Sequence, residues 1–593
     1  MPQASPGPAK ETAPLGAEVA AVAPRLGAVA SAAGDSASPA AMTRLKDAVA
    51  DLKQQALRPL LEQTVEAMRR ADYAAGGEWA IKALNVDERC GLAWWMLAIS
   101  REKAGDLKSA IACYESALAL LPNQSDIAND LGRLAYGLGQ KDVAEKLFSV
   151  FLLSNPGHPE GANNLACALR DQQRFAEAIE VLRTVIYAHP ETAMLWNTLG
   201  TVMNEQGDVA ESQTFYDEAL RLEPRFARAR YNRGNARLST GDLKGALEDV
   251  TAALNDNQSA ADEPMIRLAC ATARIAGGDL ARGWDDYEIR LDPRFPDSTR
   301  FLVDGPRWTP ETDVLGKTVL VIGEQGLGDE ILFANVLPDL IAAIGPSGKL
   351  ILAVEPRQVT LFQQSFPQAI VGGHQTFRVD TQTVRVLPFL AEAGPFDCWT
   401  PIASLNRRFR REVEAFPGTP AFLKADPARI AHWRQELKAL GAPTVGVLWK
   451  SLKIDSARRR FFSPFEQWCP VLKTPGVAFV NLQYGDCAEE LAQAKAAGIE
   501  IWNPPGIDLK NELDDLAALT CALDLVVGPA NATTNIAAAC GAKVWLISTP
   551  GAWPRLGTDR YPWYPTVEVF DPPALNQWSP VMDEIAQALA KGF

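Results

Sequence analysis

Between about residues 54 and 296 the large apolar side chains recur at helical spacing, and the whole pattern of apolar and polar positions repeats every 34 residues. Leu97, Leu131, Leu165 and Leu199 mark a first helix in each unit, and Tyr114, Phe148, Leu182 and Tyr216 mark a second. Gly105, Gly139, Gly207 and Gly241 stand between the two, with Gln173 in the remaining slot, and Pro122, Pro156, Pro190 and Pro224 close the units. Apolar residues three or four apart share one helix face, Gly ends a helix and Pro cannot continue one, so each unit predicts helix, turn, helix, stop. Small residues Ala98, Gly132, Ala166, Gly200 and Gly234 fall where paired helices must approach closely.

A period of 34 with these contents is the tetratricopeptide pattern. Weaker copies flank it, one ending near Asp87 and one around Gly278-Asp279 with Trp284 and Tyr287. Such units cannot bury their apolar faces alone; stacked, they form a superhelix whose concave face suits an extended or helical peptide. Asn129, Asn163, Asn164, Asn197, Asn232 and Asn235 recur near the middle of the first helices, where their amides are expected to line that groove and grip an acceptor protein's backbone. The competing reading is that Asn simply belongs to the repeat consensus. Tyr114, Phe148 and the Leu series read as core.

After about residue 300 the period changes. Short β-rich runs at 318–322, 350–354, 445–448, 478–483, 525–528 and 544–548 alternate with helical stretches, which implies parallel sheets joined by crossover helices. A Pro- and Gly-containing stretch from Phe416 to Pro443 divides them into two groups. The expected architecture is an all-α repeat superhelix over 54–296 followed by two Rossmann-like lobes, 300–425 and 440–593, the second ending in a helix. Such lobes bind ligands at the carboxyl ends of their strands. Residues 1–44, rich in Ala, Pro, Ser and Gly, bury too little apolar surface to order and predict a disordered tail.

Composition narrows the function classes. A formal charge of −14 over 593 residues argues against a phosphate-backbone partner. The nine Cys and four His show no metal or disulfide spacing, and no apolar run approaches the length of a membrane span. With no signal-peptide order at the start, a cytoplasmic location is expected, with neither membrane nor nucleic acid as partner. There is no Walker loop, no nucleophile elbow and no D-x-D pair at a strand end.

The chemistry gathers at three strand ends. Val319 to Ile322 runs into Gly323-Glu324-Gln325-Gly326-Leu327-Gly328-Asp329, a glycine turn opening a helix whose free N–H groups suit an anion or a sugar hydroxyl. Trp449-Lys450-Ser451-Leu452-Lys453 follows a second buried strand, with Arg458-Arg459-Arg460 soon after, and cations there suit phosphate, although three Arg in a row also read as a solvated surface. Gly528-Pro529-Ala530-Asn531-Ala532-Thr533-Thr534-Asn535 opens a small-residue helix that could hold a phosphate or ribose. Gln483-Tyr484 ends another strand beside the same expected cleft, where it would touch a nucleotide base, and His374 follows Gly372-Gly373 in a loop with a possible place there.

The string from Val319 to Phe333, preceded by Pro306-Arg307-Trp308 and Leu315-Gly316-Lys317, resembles the opening of the C-terminal domain of TPR-containing GT-B glycosyltransferases related to the heptosyltransferases. The resemblance continues at Phe396-Asp397-Cys398-Trp399, Val445 to Trp449 and Tyr561-Pro562-Trp563-Tyr564-Pro565, and the whole is most similar to bacterial flagellin glycosyltransferases. It implies an inverting, metal-independent transfer without a resident cofactor, moving a nonulosonic acid from a CMP-activated nucleotide-sugar to Ser or Thr of a bound protein such as flagellin. Asp329 matches the family's base, with Glu324 as a second candidate, although an Asp here is also a good helix N-cap. Gly326, Gly328, Lys450, Lys453, Arg458, Gln483, Tyr484, Asn531, Thr533, Thr534 and Asn535 would bind the donor. The chain departs from the family at Ala530-Asn531 and Asn535, where an Asp-Thr pair and a later His are usual; this points either to another donor or to an inactive transferase fold serving as a protein-binding adaptor.

Overall fold

A computed structural model describes residues 39–295, 297–379, 382–452 and 456–593. The first 38 residues of the expected tail lie outside that range; the remainder is helical, because α1 spans Pro39–Arg69. The described chain divides into two compact units, one ending at Arg174 and one from Phe175 onward.

In the first unit α1 is followed by α2 (Tyr73–Val86), α3 (Gly91–Lys103), α4 (Leu107–Leu120), α5 (Ser125–Gly137), α6 (Lys141–Ser154) and α7 (Pro159–Asp171). The 34-residue signature acts as expected. Gly105 (φ +80°) and Gly139 (φ +76°) turn the chain through the left-handed region between paired helices, and Gln173 adopts the same turn at φ +62°. Gly132 lets α5 close on α6: a Cβ there would lie 2.7 Å from the Phe148 ring. Leu97, Tyr114, Leu131 and Phe148 are buried.

The second unit opens with α8 (Phe175–Ala188), α9 (Ala193–Gln206), α10 (Val209–Leu222), α11 (Ala227–Ser239), α12 (Leu243–Asp256), α13 (Glu263–Ala276) and α14 (Leu280–Tyr287). Gly200 against Tyr216 and Gly234 against Val250 repeat the close approach, each at 2.7 Å from an added Cβ.

The same unit then carries three sheets. β2 (Thr318–Ile322), β3 (Lys349–Val354), β4 (Ile370–Gly373) and β7 (Cys398–Pro401) form a parallel sheet in the order β4-β3-β2-β7. β8 (Thr444–Val447), β9 (Ala478–Asn481), β10 (Ile501–Trp502), β11 (Leu525–Pro529), β12 (Val544–Ile547) and β13 (Val567–Phe570) form a second, also parallel, in the order β10-β9-β8-β11-β12-β13. β1 (Thr299–Phe301), β5 (Gln375–Val379) and β6 (Gln382–Val386) make a small mixed sheet. The central strands β2, β3, β8, β11 and β12 are buried on both faces, as crossover topology requires.

The expected boundary near residue 300 does not separate two cores. Ile275, Leu280 and Trp284 of the last repeat belong to the same buried cluster as Phe333, Leu337 and Trp563. Trp284 packs edge-on against Phe333, Trp553 and Trp563, and its indole N–H donates to the carbonyl of Arg410 at 2.9 Å. The final helix of the array is part of the α/β core.

Candidate functional site

The central element is the turn between β2 and helix α15 (Leu327–Phe333). Gly323 begins it because a Cβ there would collide with the Glu330 carboxylate at 2.4 Å. Gln325 sits in the left-handed region at φ +61°, a conformation that costs a non-glycine residue energy and persists only where its surroundings hold it. Asp329 accepts the N–H of Gly326 at 3.1 Å, closing the first turn of the helix.

The opposite wall comes from the second parallel sheet. Helix α16 (Ala532–Ala539) follows the carboxyl end of β11, and its start meets the glycine turn: a Cβ on Gly328 would lie 3.4 Å from Cα of Ala532. Asn535 Nδ2 donates to the Gly328 carbonyl at 3.1 Å, and the Tyr564 hydroxyl donates to Asn535 Oδ1 at 3.2 Å. The carboxyl ends of β2 and β11 thus face one another. Arg458, in the short helix Ser456–Arg459, is near enough to Asp329 for its charge to favour the ionised form.

Burial pushes the Asp329 carboxyl up to about 6, and the neighbouring Glu330 and Glu324 charges push the same way; the Gly326 N–H and Arg458 oppose them. A carboxylate that titrates near neutrality is suited to taking and returning a proton. Around it stand Tyr287, pushed up to about 12 by burial with Glu324 and Asp329 adding to the shift, and Tyr561 and Tyr564, both raised by burial and by the Asp329 charge.

Several expected roles are corrected by these contacts. Glu324 is not a base: it is buried, with both oxygens held by Arg290 at 2.8 Å and one also accepting the Ala403 N–H at 2.9 Å. Gln483 is no donor ligand either. It is buried, its Oε1 accepts the N–H groups of Trp449 and Lys450 at 3.0 and 2.9 Å, and its Nε2 donates to the carbonyls of Lys450 and Tyr484, so it pins the Lys450 loop to the end of β9. Thr533 and Thr534 point inward, buried, with the Thr534 hydroxyl bonded to the carbonyl of Pro529. Asn531 caps α16 itself, accepting the N–H groups of Thr533 and Thr534 at 2.9 and 3.2 Å, which occupies the donors expected to hold a phosphate. Asn535 is a pin between the two walls.

Lys450 ion-pairs with Glu490 and keeps its ammonium half-exposed. Tyr484 lines a depression of about 600 Å³ with Asn481, Asn503 and Lys510. Lys453 lies outside the described residues. Gly326 is exposed and Gly328 half-buried, so the backbone of the turn is reachable.

The asparagine row also differs from expectation. Asn164 Nδ2 donates to Asn129 Oδ1 at 3.2 Å, and Asn232 Nδ2 donates to Asn197 Oδ1 at 2.9 Å. Asn129 and Asn197 are buried, so their amides tie successive repeats together and do not grip a partner. Asn163 bonds Asn164, and Asn235 bonds Tyr231.

Residues that sequence reasoning missed frame the turn. Arg385 is buried, bonds the carbonyl of Gly323, donates to that of Gln325 at 2.8 Å and pairs with Glu330. Glu330 also meets His374 Nε2 at 2.9 Å, and this cluster walls a cavity of about 580 Å³ beside Gln325 and Leu327. Nothing marks Arg385 in the sequence, since it comes from a hairpin of unremarkable composition. Tyr561 and Tyr564 were visible as a motif without a role.

Residues 95–162, 129–193, 163–216 and 205–264 match the tetratricopeptide repeat family. Protein FlbA of Caulobacter vibrioides is 48% identical over 563 residues, covering 95% of this chain and 94% of its own length. The peroxisomal targeting signal receptor of Kluyveromyces lactis is 31% identical over 115 residues, 19% of this chain and 20% of the receptor. Among solved structures, a tetratricopeptide repeat protein from Parabacteroides merdae covers 40% of this chain and 91% of its own, at 17% identity and a TM-score of 0.36.

Proposed function

This chain belongs to the same family as Protein FlbA of Caulobacter vibrioides, and we propose that it is a GT-B protein O-glycosyltransferase whose repeats bind the acceptor. The observation that carries the reading is the placement of Asp329, a half-buried carboxyl pushed up to about 6, at a strand-end turn packed against the start of α16 and within electrostatic reach of Arg458.

In the proposed reaction Asp329 takes the proton of an acceptor Ser or Thr hydroxyl. The oxygen attacks the anomeric carbon of a nucleotide-sugar, the bond to the leaving phosphate breaks with its electron pair on the phosphate, and one direct displacement inverts the carbon. Arg458 and Lys450 supply positive charge towards that phosphate. Resemblance to the flagellin glycosyltransferases names the substrates: a CMP-activated nonulosonic acid and flagellin. The join between repeats and cleft supports a shared substrate, because Asn204 of α9 accepts from Arg460 Nη1 at 3.2 Å, in the same loop as Arg458.

A second reading, a protein-binding adaptor on an inert transferase fold, is favoured by Asn531 capping its own helix and by the Lys450–Glu490 pair. One experiment separates them. Purified chain incubated with CMP-nonulosonate and flagellin is expected to add the sugar mass to flagellin, and Asp329→Ala to abolish the addition. Unmodified flagellin with CMP-, UDP- and GDP-sugars alike, no calorimetric heat from any of them and intact pull-down of flagellin would establish the adaptor.

A further inference from the structure

The glycine turn is held from two sides, and one of them is the end of the repeat array. Following α14, Glu288–Leu291 makes a 3-10 turn that brings Arg290 under the β2 sheet. The Arg290 guanidinium, 5% exposed, meets both oxygens of Glu324, 2% exposed, at 2.8 Å, and also reaches Ser404 at 3.0 Å and Glu288 at 2.7 Å. Three residues earlier in the chain, the Tyr287 hydroxyl accepts Gln325 Nε2 at 2.6 Å, while Arg385 holds the Gln325 carbonyl from the other side. Gln325 is the residue in the left-handed conformation. The strained turn that aims Asp329 is therefore clamped between a strand hairpin and the last turn of the repeats.

We propose that Tyr287 and Arg290 are positioning residues of the catalytic turn, so that the terminal repeat segment is a working part of the transfer site and not a tether to it. Arg290 balances the Glu324 charge close to Asp329; Tyr287 holds the Gln325 side chain and through it the turn that carries Asp329. This rests on Asp329 being the base. The charged and titratable groups facing Asp329 are Glu324 on the turn, Glu330 on its own helix, Arg458 across the cleft, Tyr287 from the repeats, and Tyr561 and Tyr564 from the segment before β13.

The test reads Asp329 directly, by carboxyl-band infrared titration of the full chain against an Asp329→Asn reference, beside the pH–rate profile for flagellin. Glu324→Gln removes the negative partner and leaves the Arg290 charge, so the Asp329 midpoint and the acidic limb of the rate are expected to fall by about one pH unit. Arg290→Met with Glu324→Gln removes both charges, keeps the packing, and is expected to return most of that shift. Tyr287→Phe keeps both charges and is expected to lower kcat at least fivefold with KM and the midpoint unchanged. Equal losses of rate and melting temperature in all three, with the midpoint fixed, would reduce the clamp to a structural contact. If the midpoint moves as described while no sugar reaches flagellin in any form, the clamp stands and the transferase reading falls.

Discussion

At the scale of the residue, the two readings of Asp329 predict different things. As the third helical residue, closing the first turn onto the Gly326 N–H, it would stabilise the fold, and Asn, whose Oδ1 accepts the same N–H, would replace it without effect. As a half-buried base it would carry a cost. Burial lifts its carboxyl to about 6 in the folded chain, above the 3.8 of a free aspartate, so between those values the folded state keeps a proton that the unfolded state has released. Stability then falls as pH rises through that window and stays lower above it. Asp329→Asn is accordingly expected to raise stability by about 2 kcal/mol at pH 7.5, the open side of the cleft holding the gain below its full value, with the gain fading towards pH 4. Denaturant melts at the two pH values measure this without any substrate. Asp329 drew attention in the sequence because it matches the resembled family's base, although the same spacing also suits a helix cap. Glu324, one turn away, was not legible, because its partner Arg290 is 34 positions back and no local pattern connects them.

At the scale of the element, the repeats were the most legible part of the chain, since each turn and each close contact is specified by residues a fixed distance apart. Gly132 with Phe148, Gly200 with Tyr216 and Gly234 with Val250 are the same pairing, 16 positions apart. Gly200→Val should force the Tyr216 ring out of place and cost about 1–3 kcal/mol. The one irregular slot argues the same rule in reverse. Gln173 takes the left-handed turn at φ +62° that glycine takes in the neighbouring units, so Gln173→Gly is expected to stabilise by about 1 kcal/mol, read as a rise in melting temperature. The asparagines show where a pattern in one dimension misleads. Their recurrence was visible, but Asn129 and Asn197 each pair with an asparagine of the next repeat, 35 positions on, and a row of like residues on a sequence does not say whether it faces a ligand or itself.

At the scale of the whole second unit, the sequence revealed the alternation of strand and helix because the central strands are continuous apolar runs, buried on both faces. It missed β5 and β6, whose faces carry Gln, Thr and Arg, and the short strands β1, β4, β7, β10 and β13, each of two to four residues. It also placed a domain boundary where the hydrophobic period changes, whereas the core ignores that change: Trp284 lies among Phe333, Trp553 and Trp563, and Arg290 satisfies Glu324 from the repeat side. A chain cut to 300–593 at the apparent boundary would leave an aromatic pocket open and a buried carboxylate without its cation, a loss of several kcal/mol from each cause. It is expected to be aggregated or molten by size-exclusion chromatography and near-ultraviolet circular dichroism. A chain beginning at Phe175 keeps both contacts and is expected to melt in a single cooperative transition. Two separate transitions in that longer chain, or a sharply melting 300–593 fragment, would show that the repeats and the α/β layers hold independent cores.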